Sequence, residues 1–255
     1  MKFEGKIVLV TSNSTVFLRI TKLFFELSGK SRSEIFLVVE QGLTFSEKIK
    51  KRFRKVGIII ALDEWMFTLY ESFFNHWGKA EKKYLHSIDI TSFYPDILTD
   101  SVNKSCPRVL EALKNFQANN IISIGSSFIP SKILNLFQRK INIHPGILPI
   151  YKGIGSPDAI MNFDFDNIGW SVHELTPVID SGAVLHIEKM HFKDFSKMTF
   201  AEVYIYLYMS ALKSSITFEN TIDLGQNLDS LSFHSNIRVS TYFKYLFLNF
   251  FKRGI

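Results

Sequence analysis

The sequence predicts an α/β protein of the doubly wound kind, a mostly parallel sheet with helices on both faces. Three observations carry this. Short, largely apolar runs recur at 6–10, 34–40, 121–124 and 141–143, the pattern of strands buried in a parallel sheet. Between the first two runs, Val16 to Leu27 shows helical spacing that Gly29 ends, so strand, helix and strand follow as a βαβ unit. The chain has 255 residues, 46% hydrophobic and 21% charged, enough for one sizeable domain with a buried core and a modest extension.

The first turn, Thr11 to Thr15, is polar. It lacks the G-x-G-x-x-G fingerprint and no Walker lysine follows, which argues against NAD and ATP. Ser12, Asn13 and Ser14 stand at a helix start, where they read either as a simple N-cap or as a hold on a substrate phosphate. Residues 48–55 (KIKKRFRK) form the sharpest basic cluster, and Ile58 to Trp77 follows with Trp65, Met66, Phe67, Tyr70, Phe73, Phe74 and Trp77. Such a pair of segments can lie on an anionic bilayer or can be a solvated charged helix followed by a buried one.

Farther on, His86 to Phe93 is expected to be a short strand. Pro107 sits in the first turn of a helix running to Phe116 or Asn119. Ile121 to Ile124 is a buried strand that leaves through the loop Gly125 to Pro130, and Ser131 to Phe137 is a short helix returning the chain to Ile141. Ser156-Pro157 opens another short helix. Ile168 to Leu175 and Ala183 to Phe192 alternate as strands. Thr199-Phe200-Ala201-Glu202 is a capping box that starts a C-terminal helix to about Asn220. An aromatic tail, Tyr242 to Arg253, closes the chain. Together these elements make a Rossmann-like architecture with a C-terminal helix and a short aromatic tail.

A net charge of +6 and a pI near 9.2 favour anionic partners such as nucleotides, phosphates or anionic lipid, without by themselves indicating nucleic acid. The single cysteine, Cys106, excludes an intrachain disulfide and fits a reducing cytoplasm. The apolar run near the amino terminus is too short for a signal-peptide core, and no window reaches the roughly eighteen uncharged apolar residues of a membrane span. His173, His186 and His191 lack H-x-x-x-H or H-E-x-x-H spacing and have no cysteine nearby, so no metal is expected. His173 reads as a strand histidine satisfied by a backbone carbonyl.

The chain is organised around Ile141 to Gly153. Asn142 and His144 stand two apart and project to one face of a strand. Pro145 and Pro149 then hold the chain in an extended path, and Gly146 and Gly153 permit sharp bends or close approach of a ligand. An amide that can donate to an oxyanion beside an imidazole that can move protons is suited to acyl transfer. A plain strand end with a capped histidine would look the same. Both this strand and the 125–130 loop open at the carboxyl edge of neighbouring strands, where open α/β sheets bind ligands.

Asp180 lies thirty-odd residues on, in a turn-forming loop between two alternating segments. Asn142-x-His144-Pro145, then Leu148-Pro149-x-Tyr151-Lys152-Gly153, then Asp180-x-Gly182 resembles the formyltransferases that use 10-formyltetrahydrofolate. The resemblance covers residues 88–192 clearly and the first 40 faintly. It implies that Asn142, His144 and Asp180 are the catalytic set, with Asp180 keeping His144 charged more of the time. It also implies that the folate pterin is held by backbone of the loops carrying Ser127, Phe128, Ile129, Val178 and Ile179. Ser12, Asn13 and Lys152 are the candidate substrate contacts. The formyl group arrives activated, so no metal is required.

On this reading residues 1–222 form the catalytic domain, with an insertion at 45–85, and 223–255 form a C-terminal extension. A hydrolase releasing formate would share the set, but such relatives usually carry a regulatory domain ahead of it, and the first strand already starts at Lys6. A catalytically idle scaffold is the non-enzymatic alternative. Initiator-tRNA formyltransferases carry a second, basic barrel-like domain, for which few residues remain after Asn220. Glycinamide-ribotide formyltransferases have a glycine-rich phosphate loop, which Thr11 to Thr15 is not. Elimination leaves a sugar N-formyltransferase, with a primary amine on a nucleotide-linked sugar as substrate. The segments at 48–77 and 242–253 are then a bilayer contact or a homodimer interface.

Overall fold

In a computed structural model, which describes residues 3–42, 47, 54, 57–103, 106–153, 155–191, 195 and 197–217, the apolar runs form strands. β1 (Ile7–Ser12), β2 (Ile35–Glu40), β3 (Ile97–Thr99), β4 (Asn120–Ile124), β5 (Arg139–His144), β6 (Gly169–Glu174) and β7 (Val184–Lys189) make one sheet in the order β3-β2-β1-β4-β5-β6-β7. Pairing is parallel from β3 through to β5 and antiparallel for β5–β6 and β6–β7. The doubly wound expectation holds, with strand order reversing between β1 and β4.

Alternation along each strand sends side chains into two apolar layers. Ile7 and Leu9 join Ile20 and Phe24 of α1 (Thr15–Ser28) on one face. Val8 and Val10 join Val109 and Leu113 of α4 (Cys106–Phe116) and Ile133 of α5 (Ser131–Leu134) on the other. Each such buried side chain stabilises the fold by about 1.5–3 kcal/mol relative to exposure. Helix α1 begins where the Ser14 hydroxyl accepts from the Phe17 N–H and ends at Gly29, φ 66°, the left-handed stop that glycine adopts without a Cβ clash.

Two further helices complete the layers. α6 (Ser156–Met161) has Pro157 in its first turn. α7 (Phe200–Thr217) starts at the expected capping box: the Thr199 N–H donates to the Glu202 carboxylate at 2.7 Å, and the Glu202 N–H donates to the Thr199 hydroxyl at 3.3 Å.

Two expectations need correction. Residues 86–93 form turns, not a strand, closed by Ile88 N–H to Leu85 O and Phe93 N–H to Ile90 O. The edge strand is β3 instead. Its approach is fixed by Asp96, whose N–H donates to Leu37 O while its carboxylate accepts from the Leu37 N–H.

The segment after the basic cluster splits at Asn75 (φ 50°) into α2 (Ile58–Phe74) and α3 (His76–Leu85). α2 is not a buried aromatic helix. Its inward line is Ala61, Glu64, Phe67 and Glu71, while Ile59 and Phe73 are 84% and 83% exposed. Most of the 48–55 cluster, the tail at 242–253 and the extension at 223–255 lie outside the described residues.

Candidate active site

β5 delivers Asn142 half-buried and His144 buried to the carboxyl edge of the sheet. Strand β6 runs antiparallel beside it, so Asn142 faces His173 and His144 faces Ser171 across the ladder. The loop between β6 and β7 then folds back and brings Asp180 over both imidazoles. Asp180 Oδ2 lies 3.8 Å from His144 Nδ1, and Oδ1 lies 3.4 Å from His173 Nε2. Asp180 takes up a positive φ of 48°, a conformation that Asp tolerates better than most residues. Thr176 and Ser181 hold this turn by exchanging hydroxyl bonds with each other and with Val178 O.

The tautomers follow from the partners. His144 Nε2 sits 2.8 Å from Tyr151 O, and a carbonyl only accepts, so Nε2 carries the proton and Nδ1 is the nitrogen that titrates. His173 Nδ1 donates to Glu174 O at 2.8 Å. Its Nε2 therefore accepts from the Asn142 amide, 2.9 Å away, which leaves Asn142 a second N–H.

Burial pulls the His144 pKa below the ordinary histidine value and outweighs the upward pull of Asp180. Asp180 does pull His144 toward the charged form, as expected, but burial has the larger effect and the net shift favours the neutral imidazole, a base. For Asp180, burial pushes the carboxyl up. Its interaction with the His173 and His144 rings and the Gly153 N–H (2.6 Å) outweighs burial and holds the pKa at about 2.

The Leu-Pro-x-Tyr-Lys-Gly loop exists to hold this arrangement. Tyr151 is buried, its hydroxyl donates to Asp164 at 2.7 Å, and burial and then Asp164 push its pKa up. Ser171 donates to Gly146 O at 2.7 Å and accepts from Leu148 N–H at 3.0 Å, and the Leu148–Pro149 peptide is cis. A Cβ on Gly146 would stand 2.8 Å from both His144 Nε2 and Tyr151 O and 2.5 Å from the Gly155 backbone, so only glycine leaves the His144–Tyr151 bond intact.

The ends of β4, β5 and β6 and the loops after them line a cavity of about 280 Å³. Asn142, His144, His173 and Asp180 lie in its wall with Ser127, Phe128 and Ile129 from one loop and Val178 and Ile179 from the other. Ile129 is anchored in the core, whereas Phe128, Val178 and Ile179 are exposed. Tyr208 of α7 also lines it, and burial, Tyr204 and Asp180 keep its phenol protonated. Ser12, Asn13 and Lys152 do not line the cavity. Ser12 and Asn13 close the carboxyl end of β1, with the Asn13 N–H on Glu40 O, and Lys152 is a half-buried neighbour of Gly153.

Four contributors escaped the sequence reading. His173 is more than a satisfied strand histidine, because the β5–β6 register sets it against Asn142. Ser171 and Tyr208 also gave no signal of their own. Glu40, buried at the end of β2, accepts from Ser127 N–H and Oγ–H (2.6 Å each) and from Val102 N–H (2.7 Å). It thereby ties the 125–130 loop to the sheet. Among the described residues no cluster of His, Cys, Asp or Glu is arranged to hold a metal ion.

A model of the formyl transferase family matches residues 74–203. GDP-perosamine N-formyltransferases of Brucella melitensis and Brucella abortus are each 33% identical over 78 residues, 30% of this chain. The matched part is likewise 30% of the length of these curated relatives. A sugar N-formyltransferase from a Shewanella species shares the fold with TM-score 0.52 at 14% identity, over 96% of this chain and 87% of that one. So does glycinamide ribonucleotide transformylase 1 from Symbiobacterium toebii, with TM-score 0.52 at 13% identity over 83% and 84%.

Proposed function

This chain belongs to the formyl transferase family, and from that premise we propose that it moves a formyl group from 10-formyltetrahydrofolate to a primary amine on a nucleotide-linked sugar. The observation that carries the reading is the meeting of Asn142, His173, Asp180 and His144 in the wall of one cavity, with Asn142 hydrogen-bonded to His173 and the Asp180 carboxylate 3.4 and 3.8 Å from the two imidazoles. The free N–H of Asn142 faces the charge that develops on the formyl oxygen. His144 Nδ1 takes the proton that the amine loses on attack, and Asp180 stabilises the imidazolium so formed. The same nitrogen returns the proton to the departing folate nitrogen.

The walls suit the donor. Exposed Phe128, Val178 and Ile179 offer apolar surface to a flat heteroaromatic ring, and the backbone polar groups beside them can read its edge. 10-Formyltetrahydrofolate would supply the activated carbonyl there, and no metal is needed. The sugar acceptor is supported by the matched stretch shared with the two perosamine enzymes. Residues 1–222 would be the catalytic domain with 45–85 inserted, acting in the cytoplasm.

The test is to incubate the purified protein with 10-formyltetrahydrofolate and a panel of nucleotide-linked amino sugars, following the formylated product by mass. His144→Ala and Asn142→Ala are expected to lower turnover at least about a hundredfold with circular dichroism unchanged. Near-wild-type turnover by a folded His144→Ala protein would overturn the mechanism. Formate release without any sugar product would favour a hydrolase.

A further inference from the structure

Helix α2 reverses the usual arrangement of a surface helix. The line turned toward the protein carries two carboxylates, Glu64 at 6% and Glu71 at 4% exposure, and Glu71 pairs with His76 Nδ1 at 2.9 Å. The outward face instead carries Ile58, Ile59, Leu62, Trp65, Met66, Leu69, Phe73 and Phe74, all exposed. Its other exposed positions are Thr68, whose hydroxyl is spent on Glu64 O, and Ser72. An outward face whose exposed positions carry no charge, on a helix that buries Glu64 and Glu71 and keeps its third carboxylate, Asp63, half-buried, is built to meet an apolar phase.

We propose that this face of α2 docks in the plane of an anionic lipid bilayer. Seventeen residues at about 1.5 Å each are too short to cross the roughly 30 Å hydrocarbon core, so the helix lies in the interface. No helix among the described residues is long and apolar enough to cross a membrane. Trp65, Phe73 and Phe74 are ring types that favour the headgroup boundary. The charge is complementary too: six of the eight residues at 48–55 are Lys or Arg, directly ahead of the helix, in a chain of net charge +6.

That charge also argues against a second copy as the occupant. A second copy on this face would bring the same net charge of +6, whereas an anionic bilayer brings the opposite sign. The inference does not depend on the proposed reaction.

Flotation of the full chain with vesicles of phosphatidylcholine, alone or mixed with phosphatidylglycerol, tests it. Binding is expected to the mixed vesicles at low salt, with release at high salt. Ile59→Ser/Phe73→Ser should lower the bound fraction at least about tenfold. Melting temperature and catalysis in solution should be unchanged. No binding at low salt overturns the proposal, and so does binding that the double variant leaves intact. A wild-type dimer that the variant turns monomeric, without lipid binding, identifies a second copy as the occupant. A lowered melting temperature without lipid binding identifies the chain's own residues 218–255.

Discussion

His144 is a buried base whose proton chemistry is set by three neighbours. Tyr151 O fixes the proton on Nε2, burial lowers the pKa of Nδ1, and Asp180 opposes that lowering. The sign of the pH effect follows. Since the folded pKa lies below the ordinary value of about 6.5, the acid limb of kcat/KM should fall below pH 6.5. Asp180→Asn removes the group that raises it, so the limb should move to still lower pH while turnover drops. A limb at or above 6.5, or one that Asp180→Asn moves upward, would contradict this assignment. Asp180 itself, held at about 2, favours the folded state above its unfolded pKa and loses that contribution as pH falls toward 2.

At the scale of elements, the cavity is a meeting of three loops pinned from below. Glu40 at the end of β2, itself buried, holds the 125–130 loop through Ser127 and the turn after β3 through Val102. Removing one acceptor from several donors costs on the order of 1–3 kcal/mol per group left unsatisfied. Glu40→Ala should therefore lower the melting temperature and raise KM for the formyl donor more than it lowers kcat. An unchanged KM with unchanged stability would mean that the loop is held elsewhere. Ser171 does the same service for the Gly146–Leu148 turn from the neighbouring strand.

For the whole molecule, the cavity lies at the edge where β4 and β5 end beside the antiparallel β6, with the reversal of strand order one strand away, between β1 and β4. A ligand bound there contacts the loops that follow β4, β5 and β6 together with α7, and should stabilise the molecule by linking them. An unreactive folate analogue is expected to raise the melting temperature with ligand concentration, by binding linkage. NAD and ATP, for which the first turn has no phosphate loop, should give no shift. A shift with NAD and none with folate would remove the formyl donor from the reading.

Much of this was legible in the residues because it is local. Apolar run length distinguished the strands, Gly29 and the Thr199–Glu202 box marked helix ends, and Asn142 and His144 share a face by the two-residue period of a strand. What escaped depends on register and direction. The edge strand moved from 86–93 to Ile97–Thr99 because Asp96 found the backbone of Leu37. Helix α2 turned Glu64 and Glu71 inward although its composition reads as core. His173 entered the site because β6 runs antiparallel to β5 in one particular register, and a shift of one residue would have pointed it to the opposite face. The His144 pKa is lowered because burial, a property of everything packed around it, outweighs the one carboxylate whose presence the sequence announced. Sequence alone thus determined the chemistry available, whereas tertiary packing decided which groups meet and in which protonation state, because register and desolvation are properties of the assembled chain.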